Sequence, residues 1–193
     1  MRIITGSARG TKLRAPKGTN TRPTADRIKE SLFNILRAEV QGKTVLDVFA
    51  GSGSLGLEAL SRGAENAVFV DKDADSIKII GDNARHTHLA DKADIRRGDA
   101  FTLLRKLSGE NRLFDVIFCD PPYHFGLCQK LLNAVDGSIL KGGGLFIAET
   151  GADEVLDASK TGFTLLREQT YGATTKINIY KYMAERISEG EIF

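Results

Sequence analysis

Cysteine is almost missing from this chain. Its two copies, Cys119 and Cys128, are too few for a disulfide framework and cannot build a zinc site alone. Cys119 closes an apolar run and is expected to pack as a small buried hydrophobe rather than act as a nucleophile. Long apolar runs are missing too: none approaches the roughly 18–20 residues needed to span a bilayer. The start, Met1-Arg-Ile-Ile-Thr-Gly6, lacks the apolar core of a signal peptide, so a cytoplasmic location is expected. Nor is there an internal repeat, a low-complexity tract or a long linker. What is left is 193 residues of ordinary globular composition, 41% hydrophobic and 27% charged. That length predicts one domain with its own core and at most a small appendage.

Net charge is small, at +2, but unevenly distributed. Residues 1–37 hold nine basic and two acidic side chains, a net of +7. The remainder therefore carries 18 basic and 23 acidic residues, a net of −5. A basic arm on an acidic body points to a polyanionic partner for the arm. Arg9, Lys12, Arg14, Arg22 and Arg27 are the candidate contacts. They cluster with Gly, Thr and Pro where aromatics are scarce, which favours phosphate contact over a packed core.

In chain order, residues 1–18 predict a hairpin, with strands near 2–5 and 12–15 around a turn at 6–10. A loop over 19–23 leads into a helix over about 24–39. There Ile28, Leu32, Ile35 and Leu36 recur at helical spacing, and Arg27, Lys29 and Glu30 lie elsewhere. From Lys43 short apolar strands alternate with amphipathic helices. Strands are expected at 44–49, 67–70, 94–97, 115–119 and 145–149, and helices near 54–62, 73–87, 100–107 and 125–139. This alternation predicts a parallel sheet with helices on both faces. Beyond Gly151, segments 164–169 and 176–182 predict an antiparallel edge. The expected division is a basic extension over 1–42, an α/β domain over 43–183 and a frayed acidic tail over 184–193.

Two motifs carry chemistry. The first is Val45-Leu-Asp-Val-Phe-Ala-Gly-Ser-Gly-Ser-Leu-Gly56, which reads as strand, glycine turn and helix, with Gly51, Gly53 and Gly56 spaced G-x-G-x-x-G. Such glycines allow a tight turn and let a ligand approach the backbone. Asp71 ends the next strand 20 residues after Gly51, where a carboxylate can take both hydroxyls of a ribose. That much also describes a dinucleotide site. Asp47 separates the two: a pyrophosphate gains nothing from a carboxylate nearby, whereas a sulfonium ligand with a free ammonium group does. Asp99, at the end of the third strand, is expected within reach of an adenine amino group. There is also no length for a dehydrogenase's second substrate-binding region. The reading favours S-adenosylmethionine, with candidate contacts at Asp47, Phe49, Ala50, Gly51, Ser52, Gly53, Asp71, Lys72, Asp99 and Ala100.

The second motif is Asp120-Pro-Pro-Tyr123, at the end of the apolar run Val116–Cys119. Pro121 and Pro122 lack a backbone N–H and fix their own φ, so the strand stops there. It stops at the edge where open α/β sheets place ligands. An exocyclic amine on a purine is a poor nucleophile because its lone pair is delocalised into the ring. Hydrogen bonds from its two protons to the Asp120 carboxylate and the Pro121 carbonyl favour the pyramidal form that attacks. Tyr123 is placed to stack on the base, a contact worth about 1–3 kcal/mol. Asp120, Pro121, Pro122 and Tyr123 are the candidate catalytic residues, and the chemistry needs no metal. His86 and His88 are expected to be solvated. His124 and Phe125 adjoin the turn, Phe125 either walling the pocket or opening the next helix. Arg22 and Thr24 are placed to meet either a cofactor carboxylate or a phosphate.

Asp47-Val-Phe-Ala-Gly-Ser-Gly53, Asp71, Asp99 and Asp120-Pro-Pro-Tyr123 resemble the class I S-adenosylmethionine-dependent amino-methyltransferases. Leu140-Lys-Gly-Gly-Gly-Leu-Phe146 is similar to the glycine turn of that class. Arg2-Ile-Ile-Thr-Gly6, Leu13-Arg-Ala-Pro16 and Thr21-Arg-Pro-Thr-Ala-Asp-Arg-Ile-Lys-Glu-Ser-Leu-Phe-Asn-Ile-Leu36 resemble the RsmD family more narrowly, over residues 1 to about 183. The resemblance implies a Rossmann-like, doubly wound seven-stranded sheet, mostly parallel, with an N-terminal extension that helps hold RNA. It also implies methylation of a guanine N2 in 16S ribosomal RNA, within a partly assembled small subunit. The same turn would serve a DNA adenine-N6 methyltransferase, although no length remains for a target-recognition domain. The other alternative is a non-catalytic nucleic-acid-binding module, against which the complete set of acids argues.

Overall fold

Apolar residues bounded by glycine and aspartate turns produce the alternation expected from Lys43 onward. The computed structural model describes residues 1–16 and 23–183. Arg22, most of the 19–23 loop and the acidic tail lie outside these residues. The strands are β1 (Thr44–Val48), β2 (Asn66–Asp71), β3 (Ala93–Arg97), β4 (Phe114–Cys119), β5 (Leu140–Gly151), β6 (Phe163–Tyr171) and β7 (Thr175–Tyr182). The helices are α1 (Pro23–Leu36), α2 (Ser54–Ser61), α3 (Ala74–His86), α4 (Ala100–Gly109) and α5 (Leu127–Ala134). One seven-stranded sheet runs in the order β3-β2-β1-β4-β5-β7-β6. The first five strands are parallel, and β7 lies antiparallel between β5 and β6. The doubly wound sheet and its antiparallel edge are as expected.

Alternate residues of each strand point to opposite faces. Val45, Phe69, Phe118 and Ile147 pack with Leu32 and Phe33 of α1, Leu57 of α2 and Ile80 of α3. Leu46, Val68, Ile117 and Phe146 pack on the other side with Leu104 and Leu107 of α4 and Leu131 of α5. Each such side chain contributes about 1.5–3 kcal/mol when fully buried. Winding reverses between β1 and β4, which are neighbours although far apart in sequence, and a crevice opens there beyond the strand ends. The glycine turn leaves β1 at this crevice and the proline turn leaves β4.

Four local expectations change. The N-terminal hairpin is closed by a single antiparallel bridge, Arg2 to Lys12, instead of two full strands. Its first arm is committed elsewhere: the Ile4 and Thr5 amides donate to the Glu58 carboxylate of α2 at 2.7 and 3.0 Å. Ile3 and Leu13 join the same core as α1 and the sheet, so the described part of the extension shares the domain's interior. Lys29, expected off the apolar face of α1, is 3% exposed. It donates to the Arg2 carbonyl at 2.7 Å and pairs with Glu58 at 3.5 Å, while burial pushes its pKa down. The helix expected to reach residue 139 ends at Ala134, because Asp136 forms a turn, accepting the Ser138 N–H at 2.8 Å. The 142–144 glycine run lies inside β5, in a bulge where pairing jumps from Phe114–Leu140 to Val116–Leu145.

Candidate active site

The glycine turn is held by the two acids that flank it. Asp47 is 2% exposed and accepts the Gly56 N–H at 2.8 Å, tying the end of β1 to the first turn of α2. Gly56 must be glycine, since a Cβ there would lie 2.3 Å from the Phe69 ring and 3.1 Å from Asp47 Oδ2. Asp71 accepts from the Gly51 amide at 2.8 Å through one oxygen and from the Asp73 amide at 2.9 Å through the other. Phe49 has φ of 64°, a left-handed conformation uncommon for an aromatic residue, and Gly51 has φ of 55°. Burial pushes the Asp47 carboxyl up to about 7, against the opposing effect of the Gly56 N–H. A cationic ligand would favour its charged form.

Beyond this turn lies a cavity of about 530 Å³, within the range of small-molecule sites. Asp47, Phe49, Ala50, Gly51, Ser52, Asp71 and Lys72 line one side, and Asp120, Pro121, Pro122 and Tyr123 line the other. Eleven of the fourteen candidate cofactor and catalytic residues are thus brought together. Gly53, Asp99 and Ala100 are not. Gly53 precedes α2 with φ of 75°. Asp99 caps α4, accepting the Thr102 N–H at 2.9 Å, which holds its carboxyl below the usual range. A slightly larger hollow, about 580 Å³, lies along α1 and β6 between Arg27, Arg37 and Arg167. Glu30 and Ser31 also line it, but neither the glycine turn nor the proline turn reaches it, so the chemistry belongs to the crevice.

Sequence reasoning missed Glu149, near the end of β5, which also lines the cavity. The Tyr123 hydroxyl donates to Glu149 Oε1 at 2.5 Å and lies 3.2 Å from Thr175 Oγ1. Burial raises the Glu149 carboxyl, and burial together with the Glu149 charge raises the Tyr123 hydroxyl. Enclosure by the cavity walls, then Glu149 and then Asp47, push Asp120 well above the ordinary carboxylate range. Asp120 nonetheless keeps solvent-accessible surface, so that push is fully expressed only when a bound base excludes water. No signal in the sequence pointed to Glu149, whose partner Tyr123 is 26 residues away.

The remaining candidates sit outside. Arg9, Lys12, Arg14 and Arg27 are exposed. Arg14 reaches Asp82 at 3.5 Å, and its backbone is bonded to Asn83 of α3, whose amide also donates to the Ser52 carbonyl at 2.8 Å. His86 and His88 are exposed, as expected. Phe125 is 68% exposed and serves neither the pocket nor the α5 core face. Cys119 and Cys128 are both buried, with their sulfurs 3.5 Å apart. Among the described residues no group of three or more His, Cys, Asp or Glu side chains could hold a metal. Among them, too, no helix is long and apolar enough to cross a membrane.

Sheet order, crevice and the two turns together define a class I methyltransferase, the group whose methyl donor is S-adenosylmethionine. Comparison with known proteins narrows this. The family model described as "Conserved hypothetical protein 95" matches residues 1–181, and the chain belongs to that family. It is 40% identical over 182 residues to the Bacillus subtilis protein YlbH, covering 94% of this chain and 98% of the relative. It is 36% identical over 174 residues to "Ribosomal RNA small subunit methyltransferase D" of Haemophilus influenzae, covering 89% of each. The solved structure of yhhF from Escherichia coli superposes with a TM-score of 0.81 at 33% identity, covering 96% of this chain and 99% of that one.

Proposed function

We propose that this enzyme transfers a methyl group from S-adenosylmethionine to the exocyclic N2 of a guanine in 16S ribosomal RNA. The observation that carries the reading is one cavity walled on one side by the acid-flanked glycine turn and on the other by Asp120-Pro-Pro-Tyr123. The relatives named for ribosomal RNA support the substrate. The residues present fit the donor. Asp47 suits its cationic amino-acid end, and Asp71 and Lys72, at the end of β2, suit a ribose.

When bound, S-adenosylmethionine supplies an electrophilic methyl group. All other requirements fall on the chain. The Asp120 carboxylate and the Pro121 carbonyl accept the two amine protons, and Tyr123 stacks on the base. The amine gains positive charge as it is methylated, so Asp120 stabilises the transition state more than the ground state. Its raised pKa suits it to receive the proton lost afterwards. Most of the rate comes from orienting two bound reactants. The target base must leave its stack to reach the turn. Exposed Arg9, Lys12, Arg14 and Arg27, with Arg22, contact RNA phosphates. The substrate is a small-subunit assembly intermediate in the cytoplasm, and the enzyme acts as a monomer.

The test is a labelled-methyl assay on free 16S RNA, undermodified small subunits and duplex DNA, with the product nucleoside identified by mass. N2-methylguanosine in 16S RNA is the expected product. N6-methyladenine in DNA, or no transfer to any of the three, would overturn the reading.

A further inference from the structure

The reading above leaves a second carboxylate in the cavity without a task. Glu149 faces the same space as Asp120, close enough for its charge to be felt there. It is also fixed in place. Thr175 of β7 lies within hydrogen-bonding distance of the Tyr123 hydroxyl, and that hydroxyl donates to Glu149 Oε1. No described residue bonds Oε2. A carboxylate anchored through one oxygen presents the other in a fixed direction, and an ionised carboxylate only accepts hydrogen bonds.

The purine edges differ at this point. Beside its exocyclic amine, guanine carries N1–H, a donor. Beside its own amine, adenine carries a bare N1, an acceptor. A carboxylate next to the amine-binding turn therefore pairs with the first and confronts the second acceptor to acceptor. Resting on the reading above, we propose that Glu149 selects guanine by accepting its N1–H through Oε2, while Asp120 and Pro121 hold the amine. Tyr123 then has two tasks: its ring stacks on the base and its hydroxyl aims Glu149. Glu149 is a specificity-determining residue, and it accounts for guanine over adenine in a turn that serves either amine.

The test compares small subunits reconstituted with either guanine or 2,6-diaminopurine at the target nucleotide mapped by the assay above. The analogue keeps the N2 amine but has a bare N1. Its altered position 6 meets wild type and variant alike and cancels in the comparison. Wild-type enzyme should prefer guanine by about a hundredfold in kcat/KM, the scale for losing a charged hydrogen bond and leaving an acceptor unpaired. Glu149→Gln still accepts from Tyr123 but turns an amide N–H toward the base. It should bring the two substrates within about threefold or reverse their order. If turnover by the variant falls below detection, competition between the two particles for binding reads the same ratio. An unchanged preference in Glu149→Gln overturns the inference and leaves the function standing. Failure of wild-type enzyme to methylate any guanine overturns the function itself, and shows before the variant is used.

Discussion

The two halves of the cavity are built on opposite principles. On the β1–β2 side the acids are already satisfied by backbone: Asp47 by the Gly56 amide, Asp71 by those of Gly51 and Asp73. On the β4–β5 side the Asp120 carboxyl has no hydrogen-bond partner among the described residues, and the Glu149 carboxyl is bonded only by the Tyr123 hydroxyl. The first half is a finished cradle whose carboxylates shape the backbone. The second is a set of acceptors waiting for donors. That difference suits a methyl donor whose amino-acid and ribose ends stay unchanged through the reaction on one side, and an amine that gains the charge the sulfonium loses on the other.

The largest expected effect breaks the second half alone. Asp120→Ala should lower transfer by about a thousandfold, the scale for removing one preorganised electrostatic contact; single-turnover measurement reads it. Asp71→Asn should weaken donor affinity by about tenfold to a hundredfold, with transfer recovering at saturating donor. Titration of the variant with S-adenosylmethionine checks this.

Asp47 sharpens the comparison through pH. Its carboxyl is raised to about 7, so in the free protein it holds a proton at mildly acidic pH. A cationic ligand needs the carboxylate, so donor affinity should rise with pH up to about 7, by at most about tenfold per unit, and then level off. The folded state also holds this proton where the unfolded state has lost it. Stability of the free protein should therefore fall as pH rises from about 4 to about 7. Asp47→Asn should flatten both profiles. The smallest effect lies outside the cavity: neutralising Arg9, Lys12 and Arg14 together should reduce the salt slope of RNA binding by about 2. An unchanged slope would remove these residues from the RNA contact.

The two halves also differ in how far the sequence reveals them. The cradle is local: Asp47, Gly51, Gly56 and Asp71 lie within 25 residues, and each is placed by a strand end or a turn that periodicity locates. The proline turn is equally legible. Glu149 is not, because its role comes from β5 lying beside β4 and from a hydroxyl reaching across from Tyr123. Asp99 has a second use that its spacing does not reveal. A strand-end acid followed by a helix serves equally well as that helix's cap, and spacing alone does not separate the two uses. Lys29 is similar, since its position on α1 looked solvent-facing until Glu58, 29 residues later, supplied a buried partner.

The division between donor cradle and amine acceptor is tested most directly by calorimetric titration of S-adenosylmethionine into Asp120→Ala beside the wild type. The account predicts dissociation constants within about threefold of each other, since Asp120 serves the amine and not the donor. A loss of donor affinity of about tenfold or more in Asp120→Ala would contradict it.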